Sequence, residues 1–507
     1  MKMKYQRPLI LGMGTLAALA ASAQQRPNII YIMCDDMGYG DLGCYGQQYI
    51  ATPHIDRLAS EGMRFTQAYA GSPVSAPSRA TFMTGQHTGH THVRGNKEYW
   101  RDSGTVKYGN NTDYKTVGQE PYATNHKIIP EILKDNGYHT GMFGKWAGGY
   151  EGSASTPDKR GIDEFYGYIC QFQAHAYFPN FLNKYSRQDG DKGVTREVLE
   201  QNITHKMYGD DYANRSQYSS DLIHQHALAW LDKQTADEPF LGIFTYTLPH
   251  AELRQPEDSI LLAYKGHFCT EKSFAGQEAS RYNPTDIAHA QFAAMITRLD
   301  AQVGQIMEKL EEKGLAENTV LIFTSDNGPH EEGGADPTFF NRDGLLQGLK
   351  RSTYEGGIRI PFIVRWPAKV KAGTESDHQF AFYDLMATFC DIAGIDNYES
   401  RYRNAALGDK DYFDGISIYP TLTGEGKQEE HSHLYWEFHE TDMMGVRMGN
   451  WKLVVKSGTP RLYDLSTDLH EDNNVAAKHP DIVRQMVDYI YEDHTESSLF
   501  KVTLPSR

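Results

Sequence analysis

Two acidic pairs each follow an apolar stretch of the chain, and together they could hold a metal ion. Asp35 and Asp36 come directly after the run at residues 28–34, and Asp326 and Asn327 come just after the run at residues 320–324. Their side chains offer carboxylate and amide oxygens, which are the ligands that a hard cation such as Ca²⁺ prefers. Either pair alone would equally suit a capped turn at a strand end. The presence of both favours a site for a hard cation.

A serine and several cations are candidates for chemistry on an anion. Ser75 begins the pentapeptide Ser-Ala-Pro-Ser-Arg at residues 75–79, which by itself would also suit the first turn of a helix. Lys145 lies in Gly-Tyr-His-Thr-Gly-Met-Phe-Gly-Lys-Trp, and Lys350 lies in Gly-Leu-Lys-Arg-Ser-Thr-Tyr-Glu-Gly-Gly. Because the formal net charge is −16, an anionic substrate would need such a local group of cations, and a nucleic-acid partner is not expected.

Taken together, these motifs resemble the sulfatase family of the alkaline-phosphatase-like superfamily. The pentapeptide matches the family's modification signature, which is Cys or Ser, any residue, Pro, Ser and Arg, and residues 137–146 match its second signature. The resemblance runs from about Asn28 to the segments at 449–453 and 462–465. It implies a serine-type enzyme in which a maturing partner enzyme converts Ser75 to formylglycine, the nucleophile that attacks a sulfate ester.

The resemblance also implies roles for other residues. Lys145, Lys350 and Arg79 would neutralise the sulfate oxygens, and His250 would protonate the leaving group. The two acidic pairs would bind one Ca²⁺ ion. The charge logic of this arrangement holds for any sulfate ester, because an anion and a departing alkoxide both need compensating positive charge or protons.

One position departs from the family pattern. Most members have a histidine two residues after the signature lysine, where this chain has Ala147. That histidine usually takes a proton from the formylglycine hydrate, so the base for the second step is left unassigned. His175 and His330 are the neighbouring candidates.

Other segments resemble members that act on glycan sulfates, especially 6-O-sulfated galactose or N-acetylgalactosamine. These segments are residues 163–168, residues 173–175 and Trp-Glu-Phe-His at 436–439. They predict that a sulfated saccharide is bound by His175, His330, Glu437 and His439. The alternative for the aromatic pair at 436 and 438 is that it belongs to the core of a strand.

Three other functions stay open at this point. The sulfate could be at another sugar position, 4-O or 3-O. The chain could be a phosphodiesterase or phosphonate hydrolase of the same superfamily, although those enzymes usually need further metal ligands. It could also be a catalytically inactive sulfoglycan-binding protein if Ser75 is not converted.

The elements that must position these residues form an α/β pattern. Apolar runs at residues 28–34, 240–246, 320–324 and 360–364 predict buried parallel strands whose polar successors meet at one edge of a sheet. Met295, Leu299, Val303, Ile306 and Leu310 lie on one face of a predicted helix. Runs at 434–438, 451–455 and 461–465, with a helix from about residue 480, predict a smaller α+β domain.

We therefore predict a large mixed sheet sandwiched by helices, with a catalytic domain at residues 26–403 and a C-terminal α+β subdomain at 404–507. Residues 1–23 have a basic start, a short apolar run and a small-residue cleavage site, which predicts a signal peptide. We expect a periplasmic or secreted protein without a membrane-spanning helix. Its five cysteines imply no disulfide framework.

Overall fold

The fold is taken from a computed structural model, which describes residues 25–102, 105–108, 116–190, 192–202 and 215–507. The predicted signal peptide at residues 1–23 lies outside the described residues. Within them, no helix combines the length and the apolarity needed to cross a bilayer.

The described residues include nineteen strands, numbered β1 to β19 in chain order. They are Asn28–Cys34, Met63–Phe65, Ala68–Tyr69, Glu98–Asp102, Thr105–Tyr108, Thr116–Gln119, His139–Lys145, Glu164–Tyr168, Phe181–Ser186, Thr195–Val198, Phe240–Thr245, Thr319–Ser325, Phe362–Arg365, Thr374–Ser376, Phe380–Ala381, Leu434–Phe438, Met443–Met448, Trp451–Lys456 and Thr459–Asp464. Ten of them form one sheet in the order β10-β9-β8-β7-β11-β1-β12-β13-β2-β14.

The α-helices of the described residues are numbered α1 to α12. They are Pro53–Ser60, Ser75–Thr84, Ile129–Asp135, Ser219–Lys233, Ser259–Tyr264, Ala288–Glu312, Pro337–Phe340, Glu355–Ile358, Asp384–Ile392, Tyr398–Tyr402, Tyr419–Thr423 and Pro480–Asp493. Of these, α4 and α6 cover one face of the ten-stranded sheet, and α2, α3 and α9 cover the other.

The central strand β1 explains how the two helical layers are joined. It lies between β11 and β12 and is parallel to both. Because strand side chains alternate between faces, Ile30 and Ile32 enter the core beneath α4 and α6, whereas Ile29, Tyr31 and Met33 enter the core beneath α2, α3 and α9. Both faces are covered, so the whole strand is buried and apolar.

The C-terminal part forms a separate antiparallel sheet, β16-β17-β18-β19, against which α12 packs. Its first strand is in contact with the main sheet region through Trp436, whose indole N–H donates to the Ala70 carbonyl oxygen at 2.8 Å. The indole ring also lies 5.3 Å from the ring of Tyr69. The aromatic pair at 436 and 438 therefore belongs to the packed core, with both side chains fully buried.

The α/β class, the mixed sheet and the small C-terminal sheet are confirmed. The prediction was wrong for residues 360–364, because β13 is antiparallel to β12. The reason is that a strand buried on both faces has the same continuous apolar composition in either direction. Strand β17 was not predicted.

A buried ion pair also links the C-terminal sheet to the loop after α2. Arg94 donates to Glu437 at 2.7 Å, and the two side chains are only 5% and 1% exposed. Tyr435 and His494 hydrogen-bond the other carboxylate oxygen of Glu437, at 2.8 and 2.7 Å. All the charge on this carboxylate is therefore compensated inside the protein.

We predict that Glu437→Ala lowers the free energy of unfolding by about 3–5 kcal/mol, because the Arg94 guanidinium would stay buried without its partner. A thermal-denaturation midpoint measures the effect. Asp481→Ala is the matched control, since Asp481 pairs with Arg484 at the surface, where the side chains are 90% and 69% exposed. Equal midpoints for the two variants would contradict the assignment.

Candidate active site

The two acidic pairs lie side by side at the carboxyl ends of β1 and β12. These strands pair in parallel up to Cys34 and Ser325, so the residues that follow meet at one sheet edge. The Asp36 N–H donates to Asp326 Oδ1 at 3.1 Å, and Asn327 Nδ2 donates to Asp36 Oδ1 at 2.7 Å. Asp36 has a φ of 62°, in the left-handed region that non-glycine residues rarely occupy.

This group of residues fits a divalent cation bound through oxygen. Asp35, Asp36, Asp326 and Asn327 are almost fully buried, and Asn327 Oδ1 has no hydrogen-bond partner among the described residues. Burial, reinforced by the charge of Asp35, raises the pKa of Asp326. An orphaned amide oxygen beside three buried carboxylates is the donor set that Ca²⁺ prefers.

The loop that carries Asp326 and Asn327 packs against α8, which follows the loop that carries Lys350, because Gly328 has no side chain. A Cβ on Gly328 would lie 1.9 Å from the carbonyl oxygen of Gly356, so no side chain fits there. The Lys350 N–H donates to the Pro329 carbonyl oxygen at 2.8 Å and holds the two loops together. This close approach brings Lys350 to the acidic pairs.

Ser75 is the first residue of α2 and lies next to Asp35. Its hydroxyl donates to Asp35 Oδ1 at 2.9 Å and accepts from Lys145 Nζ at 3.1 Å. Lys145 also forms an ion pair with Asp35. The first turn of a helix has unpaired N–H groups and a positive dipole end, so this position favours an anion.

Arg79 does not lie where an oxygen of the substrate could contact it. Its guanidinium donates to Asp326 Oδ2 at 3.0 and 2.8 Å and to the Lys145 carbonyl oxygen at 3.1 Å. The side chain is fully buried behind the acidic pairs. We therefore correct the predicted contact with sulfate: Arg79 orients Asp326 and the end of β7.

Lys350 and His250 form the opposite wall. Lys350 Nζ lies 2.8 Å from Asp36 Oδ2, 3.1 Å from His250 Nε2 and 3.0 Å from Glu332 Oε2. Burial opposes ionisation of Asp36, but Lys350 and then His250 hold its pKa well below the usual range. Lys145 and Lys350, far apart in sequence, thus bind the neighbouring carboxylates Asp35 and Asp36.

His250 is neutral in this arrangement. Its Nδ1 hydrogen-bonds the Ala251 carbonyl oxygen, which can only accept, so Nε2 carries the lone pair that faces Lys350. Burial and then the charge of Lys350 lower the pKa of His250 to about 3. The imidazole can act as an acid only after an anion in the pocket favours its protonated form.

A cavity of about 560 Å³ connects these side chains. Ser75, Lys145, His250, Lys350, His175 and His439 line it, and the lining residues that the motifs did not single out include Asn96, Tyr282, Glu332 and Arg351. Glu332 and Arg351 lie one or two residues from predicted site residues, which was the only sequence signal for them.

A larger cleft, of about 780 Å³, lies at the opposite end of the sheet beside the start of β7. Its charged side chains are already paired, as Lys134 with Asp163 at 2.7 Å and Lys233 with Glu164 at 3.0 Å. Cavity size therefore does not identify the site. The concentration of buried, convergent charge around Ser75 does.

Two predicted substrate contacts lie outside the cavity. Glu437 is enclosed by Arg94, Tyr435 and His494, as described above. Both ring nitrogens of His330 are occupied: Nε2 donates to the Pro249 carbonyl oxygen at 3.1 Å, and Nδ1 accepts from the Glu332 N–H at 3.1 Å. We therefore correct both assignments, because neither side chain has a group left for a sugar.

The hydrogen bonds of His175 and His330 indicate which of them could act as the base that Ala147 does not supply. Ala147 is buried and is not part of the cavity wall. His330 has no free ring nitrogen, whereas His175 lines the cavity and hydrogen-bonds the Ser280 carbonyl oxygen through Nδ1 at 3.2 Å. Its Nε2 is therefore an acceptor in the neutral form, with no partner among the described residues.

Two further sets of side chains have metal-ligand spacing in the described parts of the chain. Asp36, His330 and Glu332 form one, but His330 is fully hydrogen-bonded and Glu332 is neutralised by Lys350 and Arg351. His87, His90 and Asp414 form the other. There the His87 Nδ1 accepts from the Gly89 N–H at 3.1 Å, which puts the proton of the neutral ring on Nε2. Neither set presents open ligands.

The sulfatase family profile matches residues 27–395, and the profile of the N-sulphoglucosamine sulphohydrolase C-terminal region matches residues 348–496. The N-acetylgalactosamine-6-O-sulfatase of Bacteroides thetaiotaomicron is 29% identical, with 94% of this chain and 96% of that protein aligned. The human steryl-sulfatase is 27% identical, with 82% and 72% aligned.

A solved structure shares the fold over almost the whole chain. The crystal structure of Ps i-CgsB in complex with k-i-k-neocarrahexaose superposes with a TM-score of 0.70 at 26% identity, covering 95% of this chain and 96% of that one. The family profile covers well over half of the chain. The chain therefore belongs to the sulfatase family and is a sulfuric ester hydrolase.

Proposed function

We propose that this sulfatase hydrolyses sulfate esters on a glycan and that its substrate carries a 6-O-sulfated N-acetylgalactosamine or galactose residue. The observation that carries the proposal is the position of Ser75, between Lys145 and Asp35 at the wall of a cavity whose other side is Lys350 and His250. The sugar is suggested by the relative that is named as an N-acetylgalactosamine-6-O-sulfatase and aligns over almost the whole chain.

The binding of sulfate is ascribed to the two lysines. With the ester in the cavity, the ammonium groups of Lys145 and Lys350 contact the non-bridging oxygens. They compensate the negative charge on these oxygens as the nucleophile attacks sulfur. Asp35, Asp36, Asp326 and Asn327 would hold a Ca²⁺ ion next to residue 75. When bound, the ion supplies further positive charge against the oxygens of residue 75 and of the sulfate.

The nucleophile is ascribed to residue 75 after conversion of Ser75 to formylglycine. When formed, the aldehyde hydrate supplies two hydroxyl groups on one carbon, one to attack sulfur and one to release the sulfate afterwards. Asp35 accepts a hydrogen bond from the oxygen at this position and orients it towards the cavity. His250, protonated beside the bound anion, gives its Nε2 proton to the sugar oxygen as the sulfur–oxygen bond breaks.

We expect that the peptide containing residue 75, from protein made in its native host, is lighter by two hydrogens than the encoded serine peptide. That protein should release sulfate faster from 6-O-sulfated than from 4-O- or 3-O-sulfated N-acetylgalactosamine or galactose. Ser75→Ala is the control and should have neither property. A lack of sulfate release from every saccharide by protein that carries the modification would refute the proposal, and an unmodified serine would favour a binding role.

We expect Ca²⁺ to raise the thermal midpoint of the chelator-treated protein, because an ion that binds only the folded state stabilises it. Asp326→Ala should abolish both this shift and turnover. Asp414→Asn tests the other set of histidine and aspartate side chains and should keep the shift. If the calcium-induced rise in midpoint persists in Asp326→Ala but disappears in Asp414→Asn, the ion binds at His87, His90 and Asp414, and the proposed calcium site is wrong.

The proton donor is tested by comparing leaving groups. His250→Ala should slow sugar sulfates by roughly 10²–10⁴-fold, the usual contribution of general acid catalysis, and slow activated aryl sulfates much less. The reason is that a phenolate leaves with less proton assistance than an alkoxide. The ratio of kcat/KM values for the two substrate classes is the measurement, and an equal loss on both would remove His250 from this role.

A further inference from the structure

We infer that Asn96 is a substrate-positioning residue, whose side-chain amide nitrogen donates a hydrogen bond to an oxygen of the bound sulfate ester. The inference rests on the proposed function and deepens it. Neither the motifs nor the predicted site residues include Asn96. It lies in the loop between α2 and β4, within the segment at residues 94–97.

One hydrogen bond fixes the orientation of the Asn96 side-chain amide. Asn96 Oδ1 accepts from the Ala76 N–H at 3.3 Å. Ala76 follows Ser75 in the first turn of α2, where backbone N–H groups have no partner inside the helix. The bond satisfies one of these groups and fixes which end of the amide faces the helix. The amide nitrogen therefore faces away from it.

The amide nitrogen of Asn96 is available to donate to a molecule in the cavity. Asn96 lines the same cavity as Ser75, Lys145 and Lys350. Within the part of the chain that the structure describes, no acceptor is hydrogen-bonded to Asn96 Nδ2. The cavity wall thus contains a neutral amide NH₂ group, whose side chain is bonded to the residue that follows Ser75. A sulfate ester has oxygen acceptors for it, in the sulfate group and in the sugar hydroxyls.

Three contacts hold the loop that carries Asn96, so the amide donor is pre-positioned. Glu440 accepts from the Asn96 backbone N–H at 2.6 Å. A Cβ on Gly95 would lie 3.1 Å from the ring of Phe500, so the backbone packs directly on that ring. Arg94 donates to the Thr495 carbonyl oxygen at 2.6 Å. The C-terminal sheet and the tail that follows α12 therefore fix the position of Asn96.

Asn96→Asp is the first test variant, because it removes the donor, keeps an acceptor for the Ala76 N–H and adds one negative charge. The remaining carboxylate oxygen still accepts from Ala76, while the oxygen that replaces Nδ2 repels sulfate. We expect kcat/KM for the sulfated saccharide to fall by at least 100-fold, since one hydrogen bond to a charged group contributes roughly 10–100-fold and repulsion is added. The thermal midpoint should stay that of the wild type.

Asn318→Asp is the matched control for the added charge. Asn318 precedes β12 at the opposite end of that strand from the site, and its side chain bonds the Gln25 carbonyl oxygen at 3.1 Å. It should keep the wild-type kcat/KM. Glu440→Ala should reduce turnover by loosening the loop, and Glu440→Gln should restore it, because the amide oxygen can still accept from the Asn96 N–H.

Inhibition by inorganic sulfate identifies the oxygen that is contacted. If Asn96→Ala, which removes the donor without adding a charge, weakens both sulfate inhibition and turnover, the donor contacts the sulfate group. If KM for the saccharide rises while sulfate inhibition is unchanged, the donor contacts a sugar hydroxyl. Wild-type kinetics in Asn96→Asp, or a fall in its thermal midpoint as large as that of Glu437→Ala, would overturn the inference. A wild-type enzyme that releases no sulfate would instead overturn the proposed function.

Discussion

The constraint on which the site depends is the burial of negative charge. Asp35, Asp36 and Asp326 lie at the ends of two central strands and are 0–1% exposed. Burial of a carboxylate costs several kcal/mol unless a cation and hydrogen bonds compensate it. Arg79 and Lys145 bind this acidic group from one side, and Lys350 binds it from the other. The convergence of α2, β7 and the loop before α8 follows from this requirement.

Much of this arrangement could be predicted from sequence. Strands β1, β11 and β12 are continuous apolar runs, and the polar residues after them meet because parallel strands end at one sheet edge. Lys145 and Lys350 were predicted to approach one site, and they line the same cavity. The family signatures predict that residues distant in the chain lie at one site. Composition alone could not have predicted this proximity.

The remaining details depend on tertiary contacts that leave little trace in local sequence. Arg79 and Lys145 are both cations in signature motifs, but only the packing shows that Arg79 is turned inward to Asp326 while Lys145 reaches the cavity. Glu437 and His439 are two residues apart on one strand and its end, yet Glu437 is enclosed and His439 lines the cavity. Asn96 follows a glycine in a loop, and nothing in its neighbours indicated its contact with Ala76.

The burial of α2 has a consequence for the biogenesis of the protein. Every residue from Ser75 to Thr84 is buried, and the main sheet, α3, α9 and the loop that carries Asn96 enclose the helix. An enzyme that modifies residue 75 by binding the flanking residues in an extended form cannot reach them in the folded chain. Such a modification therefore has to precede folding, and for an exported chain this order would couple maturation of the nucleophile to synthesis or translocation. Protein that folds first would keep its serine permanently.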